Sequence, residues 1–162
     1  MTTETRPEAL QDAWPNATCY GCGPSNPQGL QIKSYWDADG QTVVCRFRPQ
    51  PYQNAGFPNV MYGGLVASLI DCHSVWTAIA ATYKAEGLGH GSEPAISYVT
   101  GTLTVCYKAP TPLDQEIVLR SRAVEIGPRK AIIETAVYAG DRVTAEGTVV
   151  AVRISDDKSR GA

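Results

Sequence analysis

Residues 63–84, GGLVASLIDCHSVWTAIAATYK, constrain this chain more than any other stretch. They contain no proline and no glycine beyond the opening pair, and Leu65, Leu69, Cys72, Trp76, Ile79 and Tyr83 recur at helical spacing. The spacing predicts one helix, about 33 Å long at ~1.5 Å per residue. Its other faces are apolar too, with Val66, Ala67, Ile70, Val75, Ala78, Ala80 and Ala81. A helix of that kind must be covered on most sides. Lipid is not the expected cover, because Asp71 and His73 interrupt the run and nowhere do 18 apolar residues stand together.

The rest of the chain supplies strands for that cover. Residues 30–36 alternate Leu30, Ile32, Ser34 and Trp36 on one face, and residues 42–48 place Val43, Cys45 and Phe47 on one face, with Asp39-Gly40 between as a hairpin signal. Four further candidates run from 98–108, 116–126, 129–138 and 143–154, joined at their later turns by Gly127-Pro128 and Gly140-Asp141. Within 116–126 the apolar parity switches between Ile117/Leu119 and Val124/Ile126, which predicts a bulge. The expected topology is two strands, one buried helix and a four-stranded antiparallel meander. It makes one α+β domain over 18–154, with polar tails at 1–17 and 155–162. Six strands around one helix leave the sheet edges short of cover, and pairing two subunits edge to edge is the economical remedy. Charged residues, at 19% against a usual ~25%, agree with a subunit interface.

Charge also narrows the partners. Fourteen basic and sixteen acidic residues give a net charge of -2 with no Lys/Arg block, so neither nucleic acid nor a membrane surface is expected. Residues 1–12 hold no apolar run of the kind a secretory signal needs, and five cysteines form no even framework, so a cytoplasmic setting is expected.

Asp71 is the most informative side chain, the only acid between Met61 and Tyr83 and too deep in the helix to cap it. Unpaired, it would cost several kcal/mol. It therefore faces a groove, pairs with an Arg such as Arg46 or Arg129, or performs a task. Gly63 and Gly64 open the same helix, where free N–H groups and the dipole favour a polarised carbonyl or an oxyanion; the alternative is a tight turn and nothing more. Eight residues separate Gly63 from Asp71, roughly 12 Å along the axis, so a thioester or ester fits between them. Asp71, Cys72 and His73 cannot form a triad, since neighbours on a helix point ~100° apart. Cys72 reads as core, and His73 as a buried, hydrogen-bonded residue or as a contact across a subunit boundary. Cys19-x-x-Cys22 suggests zinc, but a structural zinc needs four ligands and the other Cys and His are scattered, so no metal is expected. Arg129 and Lys130, with Lys108, Arg120 and Arg122, are candidates for phosphate contact or ordinary strand-end cations.

Two motifs carry a resemblance to the hot-dog-fold acyl-CoA thioesterases, and within them to the phenylacetate-pathway branch. They are CYGCGPSNPQGL at residues 19–30 and MYGGLVASLIDCHSVWTA at residues 61–78. The resemblance implies a curved antiparallel sheet wrapped around one central helix. It implies a homodimer or a dimer of dimers acting on a small acyl- or aryl-CoA thioester. No cofactor is implied beyond the coenzyme A of the substrate. It assigns carbonyl polarisation to the Gly63 N–H and nucleophilic attack or activation of water to Asp71. Ser97 and Thr100 would line the partner's site, and Arg129 and Lys130 would meet the nucleotide phosphates. Tyr62 stands where the family usually has histidine, and Gln53 and Asn54 are candidates for its polar amide upstream. Asn54 and His73 complete the expected substrate contacts. A non-catalytic module holding CoA or another acyl ligand is the alternative. Hydratase chemistry, which wants a His beside an acid on one face, is disfavoured by the offset of His73 from Asp71.

Overall fold

The structure, a computed structural model, describes residues 8–155. The expected helix forms as α1, Gly63–Ala85, and most of its side chains are buried, among them Leu69, Ile70, Ala78 and Ile79 at 0–1% exposure. It ends where Gly87 takes a φ of 68°. The Gly87 N–H then bonds the Lys84 carbonyl and the Leu88 N–H the Tyr83 carbonyl, which satisfies the last open turn. By length and hydropathy α1 would qualify as a membrane span, yet 67% of its most apolar window is buried against the rest of the chain.

Six strands surround it: β1 (Ser34–Trp36), β2 (Val43–Phe47), β3 (Ser97–Tyr107), β4 (Ile117–Ile126), β5 (Lys130–Ala139) and β6 (Arg142–Ile154). They form one antiparallel sheet in the order β1-β2-β4-β5-β6-β3. The bulge read from the parity of residues 116–126 lies between Ala123 and Glu125. A second lies in β3 between Thr100 and Thr102.

Three expectations need correction. The last four strands are not a meander, because β3 pairs with β6 and forms the far edge of the sheet, while segment 108–116 crosses to β4. Strand-like alternation encodes which face a side chain takes and not which neighbour its backbone finds. The first strand begins at Ser34 and not at Leu30, since Gln31 has a φ of 55° and the N–H groups of Leu30 and Ile32 bond the carbonyls of Tyr20 and Gly21. Residues 8–17 are not a tail. A 3-10 turn, Leu10–Ala13, buries Leu10 and Gln11, and the Trp14 ring meets Trp76 of α1 edge-on at 5.0 Å. The Gln11 side chain receives the Ser34 N–H at 2.8 Å, so this segment covers the side of α1 that the sheet leaves open. The remaining tail residues, 1–7 and 156–162, lie outside the described residues.

The helix sits close to the sheet because β6 offers it a glycine. A Cβ on Gly147 would stand 2.5 Å from Cγ2 of Ile70, which is itself fully buried. Gly147→Ala is therefore expected to destabilise the fold by about 1–3 kcal/mol through overpacking, read as a lower urea midpoint at unchanged m-value.

Between helix and sheet runs a line of satisfied polar groups: Ser74 with Thr135 at 2.8 Å, Thr77 with Ser121 at 2.5 Å and Thr82 with Tyr98 at 3.0 Å. His73 lies in the same layer, 0% exposed. Its Nδ1 is 2.9 Å from the Ser34 hydroxyl, and its Nε2 is 3.1 Å from the Val43 carbonyl and 3.0 Å from the Ser121 hydroxyl. Burial pulls this ring down to about 4, against the opposing effect of the Val43 carbonyl.

Candidate active site

The site is built where α1 begins. The Tyr62 carbonyl accepts the N–H groups of Leu65 and Val66, at 3.0 and 3.2 Å, so the first-turn donors Gly63 and Gly64 point out of the helix end. Tyr62 is exposed and its ring lies over Gly64, where an added Cβ would come within 2.4 Å of it. From β3, Tyr107 donates its hydroxyl to the Gly63 carbonyl at 2.6 Å and so fixes the orientation of that peptide. A cavity of about 630 Å³ opens beside Gly63, walled by Phe57, Met61, Val66 and Tyr107 with Lys108 among its lining residues. Lys108 forms an ion pair with Glu146 at 3.0 Å, and this hydrogen bond holds its ammonium above the ordinary lysine range.

Asp71 lies further along the same flank of α1. It is half-buried, and its Oδ1 accepts a hydrogen bond from the Thr100 hydroxyl, placed beside the β3 bulge. The arginines considered as partners are engaged elsewhere or distant: Arg46 pairs with Glu116 at 2.9 Å, and Arg129 sits beyond the far end of β5. Strand β3 runs antiparallel to α1, from Tyr98 at Thr82 through Thr100 at Asp71 to Tyr107 at Gly63. The carboxylate and the helix mouth therefore share the flank that β3 borders, and β3 is a sheet edge.

Other expected contacts fall elsewhere. His73 has no ring nitrogen to spare, so it cannot touch substrate; on a helix, position 73 turns away from position 71. Ser97 is 2% exposed and lines no open surface in this chain. Asn54 is exposed on the loop before α1, but its amide serves that loop, donating to the Pro51 carbonyl and accepting the Gly56 N–H. Gln53 is used similarly, accepting the Gln50 N–H. Lys130 pairs in register with Val152, whereas the Gly63 end of the sheet is marked by Tyr107 opposite Ala145. Seven residues of β6 separate those levels, about 23 Å at ~3.3 Å per residue. Arg120 and Arg122 pair with Asp37 and Asp39. They line a separate hollow of about 690 Å³ that contains neither Gly63 nor Asp71. The role of Tyr107 is not legible in the sequence, because only the long-range placement of β3 brings it to Gly63.

Cys72 meets its expectation only in part. It packs against the apolar core as expected but is only half-buried, and its sulfur also lies 3.8 Å from that of Cys19.

Residues 58–146 match the family described as Thioesterase superfamily. A thioesterase superfamily protein from Shewanella loihica PV-4, solved by crystallography, is 35% identical with a TM-score of 0.66, over 89% of this chain and 98% of that one. Acyl-coenzyme A thioesterase THEM4 of Xenopus laevis is 28% identical over 113 residues, 70% of this chain and 45% of its own length. The chain spans about half the length of the curated relatives it matches. The protein smu.793 from Streptococcus mutans UA159, solved with acetyl CoA bound, shares the fold at a TM-score of 0.59 and 15% identity, over 71% of this chain and 82% of that one.

Proposed function

The chain belongs to the thioesterase superfamily, and we propose that it hydrolyses a small acyl- or aryl-CoA thioester. One observation carries the reading: the helix-mouth N–H of Gly63 and the carboxylate of Asp71 lie along one flank of α1, with a cavity at the Gly63 end. The Gly63 N–H, with the positive end of the helix dipole behind it, polarises the thioester carbonyl. Asp71 either attacks the carbonyl carbon or takes a proton from the attacking water. In both routes the C–S bond breaks and the thiolate of CoA leaves to be protonated. When water attacks directly, the acyl group departs at once as a carboxylic acid; when Asp71 attacks, a water molecule then hydrolyses the mixed anhydride to release the acid and restore the carboxylate. THEM4, named as an acyl-coenzyme A thioesterase, and smu.793, solved with acetyl CoA, support this substrate class. Within the family we place the chain in the branch that resembles the phenylacetate-pathway thioesterases. The free cysteines suit the reducing cytoplasm.

The active unit we propose is a dimer joined along β3, alone or within a dimer of dimers. This edge strand runs for 11 residues without Lys, Asp, Glu, Arg or Pro, and it exposes Val99 and Tyr107. Such an edge invites a second strand. Antiparallel pairing of two β3 strands sets the start of one beside the end of the other. It brings the turn bearing Arg129 and Lys130 to the Gly63 end of the opposite subunit, where these cations meet the nucleotide phosphates. Mixing Asp71→Asn chains with Arg129→Ala/Lys130→Ala chains tests the arrangement. Half the dimers are then mixed and each carries one intact site, so activity is expected to recover to about a quarter of wild type. Activity no greater than the sum of the two separate variants would count against a shared site.

A second reading follows from Tyr62, whose ring lies over Gly64 at the helix mouth: a module that holds CoA without turning it over. A panel of acetyl-, hexanoyl-, benzoyl- and phenylacetyl-CoA separates the two. Saturable release of free thiol from at least one substrate supports hydrolysis, and saturable CoA binding with no turnover on any supports the module.

A further inference from the structure

We propose that Cys19, Cys22 and Cys72 form a three-thiolate site for Zn²⁺. The three sulfurs lie within 4.8 Å of one another, on two segments far apart in sequence. The spacing suits a metal better than a disulfide. Zinc held by sulfur at ~2.3 Å in a tetrahedron sets neighbouring sulfurs ~3.8 Å apart. The Cys19 and Cys72 sulfurs are 3.8 Å apart, and closing the widest pair to that distance takes about 1 Å. A disulfide would have to draw 3.8 Å down to ~2.05 Å.

The surroundings hold the three thiols together and give one of them a donor. The Cys19-x-x-Cys22 loop turns back on itself, with the Gly23 N–H bonding the Cys19 carbonyl at 2.8 Å, and its two thiols lie together against Cys72. The Trp76 indole N–H donates to the Cys22 sulfur at 3.2 Å. Donors of this kind orient thiolate ligands and temper their charge. Gly21 is required by the close approach of the third thiol, since a Cβ there would stand 2.3 Å from the Cys72 sulfur. Among the described residues no other His, Cys, Asp or Glu joins the group. Cys19 is exposed, so the fourth position of the tetrahedron faces solvent and takes a water molecule.

Binding replaces three S–H bonds with three Zn–S bonds and releases three protons, with no change of oxidation state. The metal would fasten the loop at residues 19–31 to α1 one residue beyond Asp71.

The test uses full-length protein, reduced and stripped with a chelator, then titrated with Co²⁺ and with Zn²⁺. One equivalent of Co²⁺ is expected to give the thiolate-to-cobalt charge-transfer absorption, which one equivalent of Zn²⁺ abolishes. Zn²⁺ should also raise Tm. Cys19→Ser and Cys72→Ser should each weaken binding at least about 10-fold, while Cys106→Ser, on exposed β3, should leave it unchanged. Cys19 is exposed, so its variant reports even where Cys72→Ser fails to fold. No charge-transfer band, a band retained in Cys19→Ser, or a disulfide within the trio of anaerobically isolated protein that takes up no metal once reduced would each overturn the proposal.

Discussion

Replacing Asp71 by Asn is expected to lower kcat/KM for thioester hydrolysis by about 10²- to 10⁴-fold, the range that a positioned acid or base supplies. That is about 3–5 kcal/mol of transition-state stabilisation. The substitution keeps shape and hydrogen bonding: an Asn Oδ1 accepts the Thr100 hydroxyl as the carboxylate does. What it removes is the negative charge and the nucleophilic, proton-accepting oxygen. The fold should survive, because Asp71 is half-buried and makes no ion pair among the described residues. KM should change little, since the Gly63 N–H and the cavity are untouched. Thr100→Val, which leaves the carboxylate without its hydroxyl partner, should lower kcat by less and also spare KM, marking Thr100 as a positioning residue. Steady-state kinetics on the best substrate, with circular dichroism of each variant, decide the matter. Hydrolysis unchanged in Asp71→Asn would remove Asp71 from the chemistry.

Asp71 could be singled out beforehand because an apolar helix makes a lone carboxylate conspicuous, and α1 itself was legible because its period is sustained without a breaker. The β4 bulge was legible for a similar reason, since a change of parity is local. What stayed hidden depends on long-range pairing. The alternation in β3 is the same whether its neighbour is β4 or β6, so neither the edge position of β3 nor the reach of Tyr107 to Gly63 could be read from it. Nor does the sequence say from which subunit Arg129 and Lys130 would reach a phosphate, since only the register of β5 on β6 sets Lys130 about seven strand residues from the Gly63 level of its own chain. Cys72 reads as core because it shares a helical stripe with Leu69 and Trp76, and it does pack against the core. That stripe turns out to face two coverings, the sheet and the Cys19–Cys22 loop, and periodicity along a helix does not distinguish them. Residues 8–17 read as a tail because a polar composition conceals Leu10, Gln11 and Trp14, three side chains that find partners only in the folded chain.

His73, foreseen as a buried and hydrogen-bonded residue, carries a consequence for acid stability. It is fully buried, and burial lowers its ring to about 4 from an ordinary 6.5. The folded protein therefore holds it neutral through a range in which the unfolded chain protonates it. Below about 6.5 the unfolded state binds more protons, so stability rises with pH across this window. The contribution is fully present above 6.5 and is lost as the pH falls toward 4, amounting to about 3 kcal/mol at ~1.36 kcal/mol per unit. The hydrogen bonds fit a neutral ring, with Nε2–H donating to the Val43 carbonyl and Nδ1 accepting from Ser34. A second proton on Nδ1 would meet a hydroxyl already receiving the Gln11 amide at 3.0 Å. Since those partners belong to β1, β2 and the first turn of the described chain, protonation should loosen that side of the sheet from α1 first. Urea unfolding at intervals between pH 7.5 and 4.5 measures the effect against His73→Gln. The variant should be weaker at pH 7.5, having lost part of the network, and its stability should fall less steeply than wild type below 6.5, by up to one proton. Parallel pH dependences would mean that His73 does not hold its proton off in the folded chain.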